Sequence, residues 1–472
     1  MSGRAANGPV QVAVVGGGLA GLAAAVALAG ADCQVELFEA RRSLGGRAGS
    51  FRDPATGELV DHCQHVSMRC CTNLADFCRR TQTEHFFRRD RQLHFIGPDG
   101  GQYRLRASAL PAPLHLAGAL WKLKYLSAGE RFKIGRAMWK LMRMGAAERP
   151  DAPTAAAWLR QQGQSVRAIE DFWSVILVSA LGEELERASL AAARKVLVDG
   201  FLAAREAYVV EVPQVPLSAI YGDPLERWFG AHGVGLHLSA AVRRVSCDTG
   251  PQVELADGRQ VRPDFVVIAL PWFRIGEVVD QRLASQWPWL GEIGKVEASP
   301  ITGVHLWFDR AIMSLEHAVL VGRLSQWIFH RTADPPGEAR QGHYYQVVVS
   351  ASRALAGKDR DTIVAEVCRE LAQIWPAAGA AKLLSARVVT EHAAVFSARP
   401  GLDRWRPAQK TPTRGVLVAG DWTATAWPAT MESAVRSGYL AAESILESVG
   451  RPQRFLVDDL PRGLLARWLI RD

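Results

Sequence analysis

A group of residues near the N-terminus has the types and spacing needed to hold a dinucleotide. Gly16, Gly18 and Gly21 fit the pattern G-x-G-x-x-G, and Glu39 follows eighteen residues after the last of them. Glycines at these positions make a tight turn, let a pyrophosphate approach the backbone and let a helix pack on a strand. An acid at this distance can accept hydrogen bonds from an adenosine ribose. The pattern therefore predicts an adenine dinucleotide site.

The elements around these residues are those that such a site requires. The run Val12–Val15 is fully apolar, as in a central parallel strand, and "LAAAVALAG" (22–30) has strong helix propensity. A second apolar strand, "QVELFEA" (34–40), leads to Glu39. The N–H groups of Leu19 and Ala20 would then lie at a helix N-terminus, where free donors and the helix dipole favour phosphate.

Composition and charge narrow the class of protein. The chain has 472 residues, a length that suits two sizeable domains, and no window reaches the ~20 apolar residues of a membrane span. The N-terminus lacks the apolar core of a secretory signal, so a cytoplasmic location is expected. Seven cysteines without a Cys-x-x-Cys pair predict reduced thiols and no metal site. The net charge of +8 fits an anionic membrane surface better than nucleic acid, because no nucleic-acid-binding module accompanies it.

Two further stretches resemble the flavoprotein amine oxidase and carotenoid desaturase superfamily. One is "ARRSLGGRAGSF" (40–51), directly after the acidic strand, and the other is "AGDWTATAWPATMESAVRSG" (419–438). The resemblance implies FAD as the cofactor, with further contacts from Ala40, Arg41, Gly45, Gly46, Arg47, Val242, Gly420, Asp421, Thr430 and Met431.

The resemblance also implies what several of these residues do. The Gly45-Gly46 pair would approach the pyrophosphate, and Arg47 would add positive charge there. Asp421 would bind the ribityl chain or the phosphate edge. Thr430 would cap a helix whose first N–H groups, near Met431, face the flavin pyrimidine and stabilise the anionic reduced ring.

The fold class expected is α/β, with a Rossmann-like FAD-binding domain of the glutathione-reductase type and an inserted α+β substrate domain. The predicted FAD-binding segments are 10–74, 226–275 and 405–448, the substrate-binding and membrane-facing segments are 75–225 and 276–404, and the C-terminal tail is 449–472. Within the insertion, 75–225 is mostly helical in pattern. Strands are predicted at 300–308 and 343–352, and an amphipathic helix at 361–375.

Two segments have the pattern of membrane-surface helices. Residues 110–145 interleave apolar residues, among them Trp121 and Trp139, with seven lysines and arginines and one acid, Glu130. The tail repeats the pattern around Trp468. Basic amphipathic helices containing tryptophan are typical of peripheral membrane contact. The alternative is a core-packing helix with a solvated basic face.

Within the superfamily the chain most resembles the hydroxysqualene dehydroxylase family, through "VDHCQHVSMRCCTNL" (60–74), "PITGVHLWFDR" (300–310) and the C-terminal motif. This resemblance implies removal of the hydroxyl of a C30 isoprenoid alcohol by hydride from reduced flavin N5, giving squalene in hopanoid and squalene biosynthesis. An electron donor, not identified by the sequence, must reduce the flavin.

The resemblance places the proton donor for the departing hydroxyl in "VDHCQHV", where Asp61, His62, Gln64 and His65 are candidates and Asp61 and His65 are favoured. A turn-capping Asp61 and a core His65 are the alternative. Relatives usually have glycine at the position of Cys63, so a side chain here departs from the family pattern.

Three other functions remain open at this point. An oxidative carotenoid-type desaturase would share the fold, cofactor and oily substrate. An amine oxidase is disfavoured because the strand "ITGVHLWF" lacks the lysine that this group usually carries there. A flavin-binding membrane scaffold without turnover is the third.

Overall fold

The computed structural model describes residues 8–54, 56–145, 152–331 and 342–471. The strands in this part of the chain are β1 Gln11–Val15, β2 Gln34–Phe38, β3 Ser50–Arg52, β4 Leu59–Asp61, β5 Ser67–Met68, β6 Phe87–Asp90, β7 Leu93–Ile96, β8 Gln102–Leu105, β9 Val210–Pro213, β10 Gly235–His237, β11 Val242–Cys247, β12 Pro251–Leu255, β13 Gln260–Val261, β14 Phe265–Ile268, β15 Ala298–Phe308, β16 His317–Leu320, β17 Trp327–Arg331, β18 His343–Ser350, β19 Leu383–Phe396 and β20 Val416–Val418.

The α-helices are α1 Leu19–Ala29, α2 Thr72–Arg80, α3 Ala117–Lys122, α4 Ala128–Arg143, α5 Ala155–Gln161, α6 Val166–Ala168, α7 Val175–Leu181, α8 Leu190–Arg194, α9 Ser218–Tyr221, α10 Asp223–Ala231, α11 Ile275–Val278, α12 Gln281–Gln286, α13 Pro288–Ile293, α14 Arg360–Ile374, α15 Pro376–Ala380, α16 Met431–Ser448 and α17 Leu464–Leu469. Two π-helical segments, Ile169–Ser174 and Lys195–Leu202, extend α6 and α8.

A five-stranded parallel sheet is assembled from three distant parts of the chain, in the order β10-β2-β1-β14-β20. Val14 in the central strand pairs with Leu37 on one side and Val267 on the other. The strands are apolar on both faces because elements cover both sides of a parallel sheet. All five strands fall inside the segments predicted to bind FAD, and the expected Rossmann-like class is confirmed, although the exact domain boundaries stay a prediction.

The last long helix packs directly on the first. A Cβ atom added to Gly438 of α16 would lie 2.3 Å from the carbonyl oxygen of Ala20 in α1 and 2.7 Å from the backbone nitrogen of Ala24. Only a glycine permits such a backbone approach. The contact brings the N-terminal half of α16 against the glycine loop.

The inserted domain contains a seven-stranded sheet in the order β19-β15-β18-β17-β16-β7-β8. The predicted strands at 300–308 and 343–352 are observed as β15 and β18, and the helix at 361–375 is observed as α14. The region 75–225 also contains strands β6 to β9, which its pattern did not predict. These strands are four residues long, and β7 is held by pairing with β16, more than two hundred residues away.

The basic stretch 110–145 is two helices and not one. Helix α3 ends at Lys122, and Ser127 starts α4 with a capping box: its hydroxyl accepts from Glu130 N–H, and the Glu130 carboxylate accepts from Ser127 N–H at 2.8 Å. The cap stops a continuous helix because it fixes Ser127 in an extended conformation. No helix within the described ranges has both the length and the apolarity of a membrane span.

Candidate flavin site

The first glycine loop has backbone geometry that only glycine allows at two of its positions. Gly16 has a φ of +109°, and an added Cβ would lie 2.7 Å from the carbonyl oxygen of Ala269, directly after β14. A Cβ on Gly21 would lie 1.9 Å from Gly16 O. These contacts fold the loop tightly and press α1 onto the sheet, as the spacing predicts.

Gly18 differs from both because nothing occupies the space beside it. It is the N-cap of α1 with a φ of −77°, and a Cβ added there would have no heavy atom within 4 Å. The first-turn N–H groups of a helix have no partner within the helix, so those of Leu19 and Ala20 are directed at this space. The start of α1 thus offers donors, a positive dipole end and room for a diphosphate.

Glu39 lies immediately after β2, with its carboxylate against the glycine loop. Its two oxygens accept from the backbone N–H of Gly17 at 2.6 Å and of Arg41 at 2.7 Å. Its carbonyl accepts from Ala240 N–H at 2.8 Å, two residues before Val242 begins β11. Glu39 therefore lies beside the start of β11, where the expected FAD contact Val242 is located. Arg41 is exposed next to Glu39 in the chain.

The second glycine pair packs on the first loop. Gly45 N–H donates to Gly17 O at 2.9 Å, and a Cβ on Gly46 would lie 3.1 Å from Gly18 Cα. Arg47 follows and reaches the other end of the chain: its Nη2 lies 2.6 Å from Oδ1 of Asp421. The N-terminal and C-terminal motifs thus meet in one ion pair.

The C-terminal loop ends in the predicted helix cap. The Thr430 hydroxyl accepts from Ser433 N–H at 3.1 Å, and α16 begins at Met431. At the start of the loop, Gly420 N–H donates to the Ser437 hydroxyl at 2.8 Å. The Ser433 hydroxyl also donates to Asp421 O at 2.9 Å. The strand that ends at Gly420-Asp421 is therefore tied to the helix after the loop by two hydrogen bonds.

Arg406 holds this loop, and sequence reasoning missed it. Its guanidinium donates to the carbonyl oxygens of Asp421 at 3.0 Å, Thr423 at 2.7 Å and Trp427 at 2.8 Å, and it pairs with Asp403 at 3.0 Å. A planar cation with several donors suits such a set of carbonyls. No sequence signal marks these contacts, because the acceptors are backbone atoms 15 to 21 residues away.

Glu432, in the first turn of α16, was also missed as a structural residue. Its fully buried carboxylate accepts from the N–H groups of Asn73 at 3.2 Å and Leu74 at 2.8 Å, at the start of α2. Arg436 neutralises the carboxylate from one turn further along at 2.7 Å. This arrangement, the Glu432 clamp, joins the N-termini of α2 and α16.

Asp61 is buried and surrounded by donors. Its Oδ1 accepts from the Ser50 hydroxyl and from Leu217 N–H, both at 2.7 Å, and its Oδ2 lies 3.7 Å from Arg331. Arg331 also donates to Gln64 at 2.7 Å. These contacts suit an ionised carboxylate that organises the loop, and the proton-donor role of Asp61 stays a prediction.

His65 is held by its own loop. Its Nδ1 lies 2.9 Å from Cys63 O, and because a carbonyl only accepts, Nδ1 carries the proton. Burial lowers the pKa of His65, so the ring is neutral near pH 7 and its Nε2 has no proton to give. Cys63 is buried within the apolar cluster of the inserted domain, and burial raises its pKa to about 12, which keeps it a thiol.

The comparison with known families decides the class. The profile of the flavin-containing amine oxidoreductases matches residues 19–446. The chain belongs to this family. FAD is therefore its cofactor, and the open space at Gly18, the buried acid at Glu39 and the Arg47–Asp421 pair fit that group.

Relatives within the family include both reductive and oxidative enzymes. Hydroxysqualene dehydroxylase from Rhodopseudomonas palustris is 27% identical, over 92% of this chain and 98% of that protein. The enzyme of the same name from Sinorhizobium fredii is 25% identical over 93% and 99%. The 15-cis-phytoene desaturase of Solanum lycopersicum is 25% identical over 95% of this chain and 80% of that protein.

Solved structures share the fold at lower identity. A putrescine oxidase with bound putrescine aligns with a TM-score of 0.69 at 17% identity, over 93% of this chain and 99% of that one. An oxidoreductase from Methanosarcina mazei aligns with the same TM-score over 92% and 99%. At this identity the likeness establishes the architecture and not the substrate.

Proposed function

We propose that this flavin-dependent oxidoreductase removes the hydroxyl of hydroxysqualene by reduction and so forms squalene. The observation that carries the proposal is the match to hydroxysqualene dehydroxylases over nearly the whole of both chains. The motifs around Asp61 and on β15, which the resemblance to that family rests on, lie against each other. A Cβ added to Gly303 of β15 would lie 3.1 Å from His62 O and 3.5 Å from Cys63 Cα.

The contact at Gly303 also argues against amine oxidation. The amine oxidase lysine expected on this strand is absent, and at Gly303 the adjoining loop backbone leaves no room for a long side chain. The oxidative desaturase remains the competing function, because phytoene desaturases match this chain at similar identity.

When bound, reduced FAD supplies a hydride. The chain's own residues would hold the cofactor: the start of α1 its phosphates, Glu39 its ribose, Asp421 its ribityl chain and the N-terminus of α16 its pyrimidine. The protein must also exclude water, which would capture a cationic carbon. One continuous apolar cluster suits this need, since it includes Cys63 as well as Ala112 of the basic stretch and Ala466 of the tail.

The basic stretch 110–145 and the tail fit peripheral contact with a membrane. Ten large apolar side chains are exposed in the described part, and seven belong to 110–145 and the tail: Leu110, Leu114, Trp121, Phe132, Trp139, Leu464 and Trp468. We call these seven residues the apolar surface. The tail meets the basic stretch at both ends, because a Cβ on Gly463 would lie 3.2 Å from Ala112 Cβ and Arg471 N–H donates to Met142 O at 2.8 Å.

Exposed cations occur in the same two segments, among them Lys122, Lys124, Lys133, Arg136, Lys140, Arg143 and Arg467. Apolar side chains interleaved with basic ones match the acyl boundary and headgroups of an anionic bilayer. A C30 alcohol dissolves in such a bilayer, so the enzyme would take its substrate there, and the apolar cluster beneath would receive it.

The decisive experiment follows the flavin and the product together. Enzyme reduced anaerobically by dithionite is mixed with hydroxysqualene, and we expect the oxidised flavin band to return as squalene forms in equal amount, measured by absorbance and mass spectrometry. The oxidised enzyme mixed with phytoene is the control. Bleaching of oxidised flavin by phytoene, without any reaction of the reduced enzyme, would identify a desaturase, and no response to either substrate would favour the scaffold.

A further inference from the structure

Neither candidate from the sequence is placed to deliver the proton that the proposed reaction needs. The Asp61 carboxylate accepts from Ser50 and Leu217 and lies 3.7 Å from Arg331, and Nε2 of His65 carries no proton when Nδ1 donates to Cys63 O. The departing hydroxyl must still leave as water, because hydroxide is a poor leaving group. The proton must therefore come from another side chain near the loop 61–65.

A buried histidine on β15 faces this loop. His305 is fully buried, and Nε2 of its ring lies 3.4 Å from the point where a Cβ on Gly303 would stand. The same point is 3.1 Å from His62 O. Nε2 is thus directed at the junction between β15 and the loop 61–65, and it has no hydrogen-bond partner in the described residues.

The other ring nitrogen contacts a group that can donate. Nδ1 of His305 lies 2.7 Å from the Tyr344 hydroxyl on the neighbouring strand β18. Unlike the carbonyl beside His65, a phenol can give its proton to Nδ1, and the imidazole then carries its single proton on Nε2. Burial lowers the pKa of His305 to about 3, so the ring is neutral at physiological pH and only one nitrogen is protonated.

Buried polar atoms without a hydrogen bond in the described residues lie around this pair, and two of them, Nε of Arg387 and Oδ1 of Asp53, form an ion pair at 3.8 Å. Gln346 and Arg387 flank His305 on the adjacent strands in direct register. Both amide atoms of Gln346, Nε of Arg387, Oδ1 of Asp53 and Nδ1 of His62 are buried without a hydrogen bond in the described part. Buried polar groups are normally satisfied, and a water needs two to four such partners. The cluster therefore has the groups needed to hold an ordered water or a substrate hydroxyl beside Nε2.

We propose that Tyr344 and His305 form the proton relay of the dehydroxylation, with Nε2–H of His305 donating to the departing hydroxyl directly or through one water. This inference rests on the proposed function. The C–O bond breaks as the oxygen takes the proton from Nε2 and leaves as water, and the carbon receives the hydride that reduced flavin supplies. Tyr344 returns a proton to Nδ1 and is reprotonated from solvent.

The charged and titratable groups around His305 are Asp53, Arg331, Arg387 and His62. The arginines oppose a second proton on the ring, and Asp53 favours one. In the relay, His305 therefore donates a proton from Nε2 while it accepts another on Nδ1, so the ring does not pass through the doubly protonated imidazolium.

The first test uses neighbouring tyrosines as a matched pair. Tyr344→Phe removes the relay hydroxyl, whereas Tyr345→Phe removes a buried hydroxyl on the opposite face of β18, where it accepts from Ile312 N–H at 3.0 Å. We expect Tyr344→Phe and His305→Gln to slow reoxidation of the reduced flavin by hydroxysqualene about 100-fold or more. Flavin content and dithionite reduction should stay unchanged, and Tyr345→Phe should react within about twofold of wild type.

Wild-type rates in both Tyr344→Phe and His305→Gln would overturn the relay. A wild-type enzyme that does not react with hydroxysqualene would instead overturn the proposed function. In that case the tautomer of His305 is measured by nuclear magnetic resonance of the protein labelled with ¹⁵N-histidine. The signals that disappear in His305→Gln are those of the His305 ring. In the wild-type protein we expect a neutral His305 ring with its proton on Nε2, and we expect the ring's ¹⁵N signals to shift in Tyr344→Phe. A wild-type ring with its proton on Nδ1 would contradict the relay.

Discussion

Gly18 and Gly21 lie three residues apart, but a side chain has different consequences at the two positions. At Gly21 an added Cβ would meet Gly16 O at 1.9 Å, so the loop itself must distort. At Gly18 the φ is negative and the added atoms enter open space. Gly21 is therefore required by the protein's own packing, whereas Gly18 is required by the group that binds beside it.

Gly18→Val therefore separates cofactor binding from folding. We expect a folded but colourless protein, because the valine occupies the space needed by the pyrophosphate without touching the protein. Flavin absorbance of the purified protein and its far-ultraviolet circular dichroism measure the two effects. Gly135→Val, at an exposed site on α4 with equally open space, is the control and should remain yellow. A Gly18→Val protein with full flavin content would falsify the phosphate assignment.

The first turn of α16 and its cap have two structural roles. Thr430 caps it and directs its N–H groups toward the predicted flavin pyrimidine, while Glu432 clamps the start of α2. The clamp also fixes the angle of α16, because its partners belong to a different helix. The predicted flavin contact at the N-terminus of α16 would thus depend on a buried carboxylate whose backbone partners belong to α2.

Glu432→Gln tests the clamp. The amide has one acceptor oxygen in place of two, so an N–H of α2 and the Arg436 guanidinium lose good partners, at a cost of about 2 kcal/mol. We expect a lower midpoint of urea unfolding for the protein without cofactor. Glu447→Gln lies on the same helix in an exposed pair with Lys410, and it should leave the midpoint unchanged. Equal midpoints for the two variants count against a stabilising clamp.

At the scale of the whole molecule, one apolar cluster includes residues of the loop 61–65 and residues of the proposed membrane-contacting segments. Cys63 belongs to the loop, and Ala112, Ala466 and Ile470 belong to 110–145 and the tail. Trp468 is 83% exposed and Phe132 66%, although each belongs to an element whose other face is buried. Apolar side chains on both faces of these elements are explained if lipid covers the face that the protein leaves exposed.

Membrane binding can be tested by replacing the most exposed side chains. We expect Phe132→Ser and Trp468→Ser each to weaken sedimentation with phosphatidylglycerol–phosphatidylcholine vesicles about tenfold, since an inserted aromatic side chain contributes about 1.5 kcal/mol or more. Lys133→Glu should weaken binding most at low salt.

The control removes apolar residues elsewhere on the surface. Phe273→Ser and Leu384→Ser change exposed side chains outside the two segments and should bind vesicles as wild type does. Unchanged sedimentation of the Phe132 and Trp468 variants would show that the apolar surface does not touch lipid.

The amino-acid sequence alone was enough to locate the elements of the predicted nucleotide site. The strand, glycine loop, helix and acid from Gln11 to Glu39 depend on backbone conformations and helix propensities within a few residues, which a sequence states directly. The cap at Thr430 and the strands β15 and β18 were predicted for the same reason. The position of β7 and the division of 110–145 into two helices were not, because one depends on a distant strand and the other on a capping box that was overlooked.

Only the tertiary structure decided which side chains meet. The Arg47–Asp421 pair joins residues 374 positions apart, Arg406 binds carbonyl oxygens that any sequence would supply, and His305 contacts Tyr344 only because β15 and β18 are adjacent. Residue types and spacing record local conformation and the chemistry available. They do not record non-local register, which is set by the packing of whole elements, and register is what brings a proton, a charge or a hydroxyl to within 3 Å of its partner.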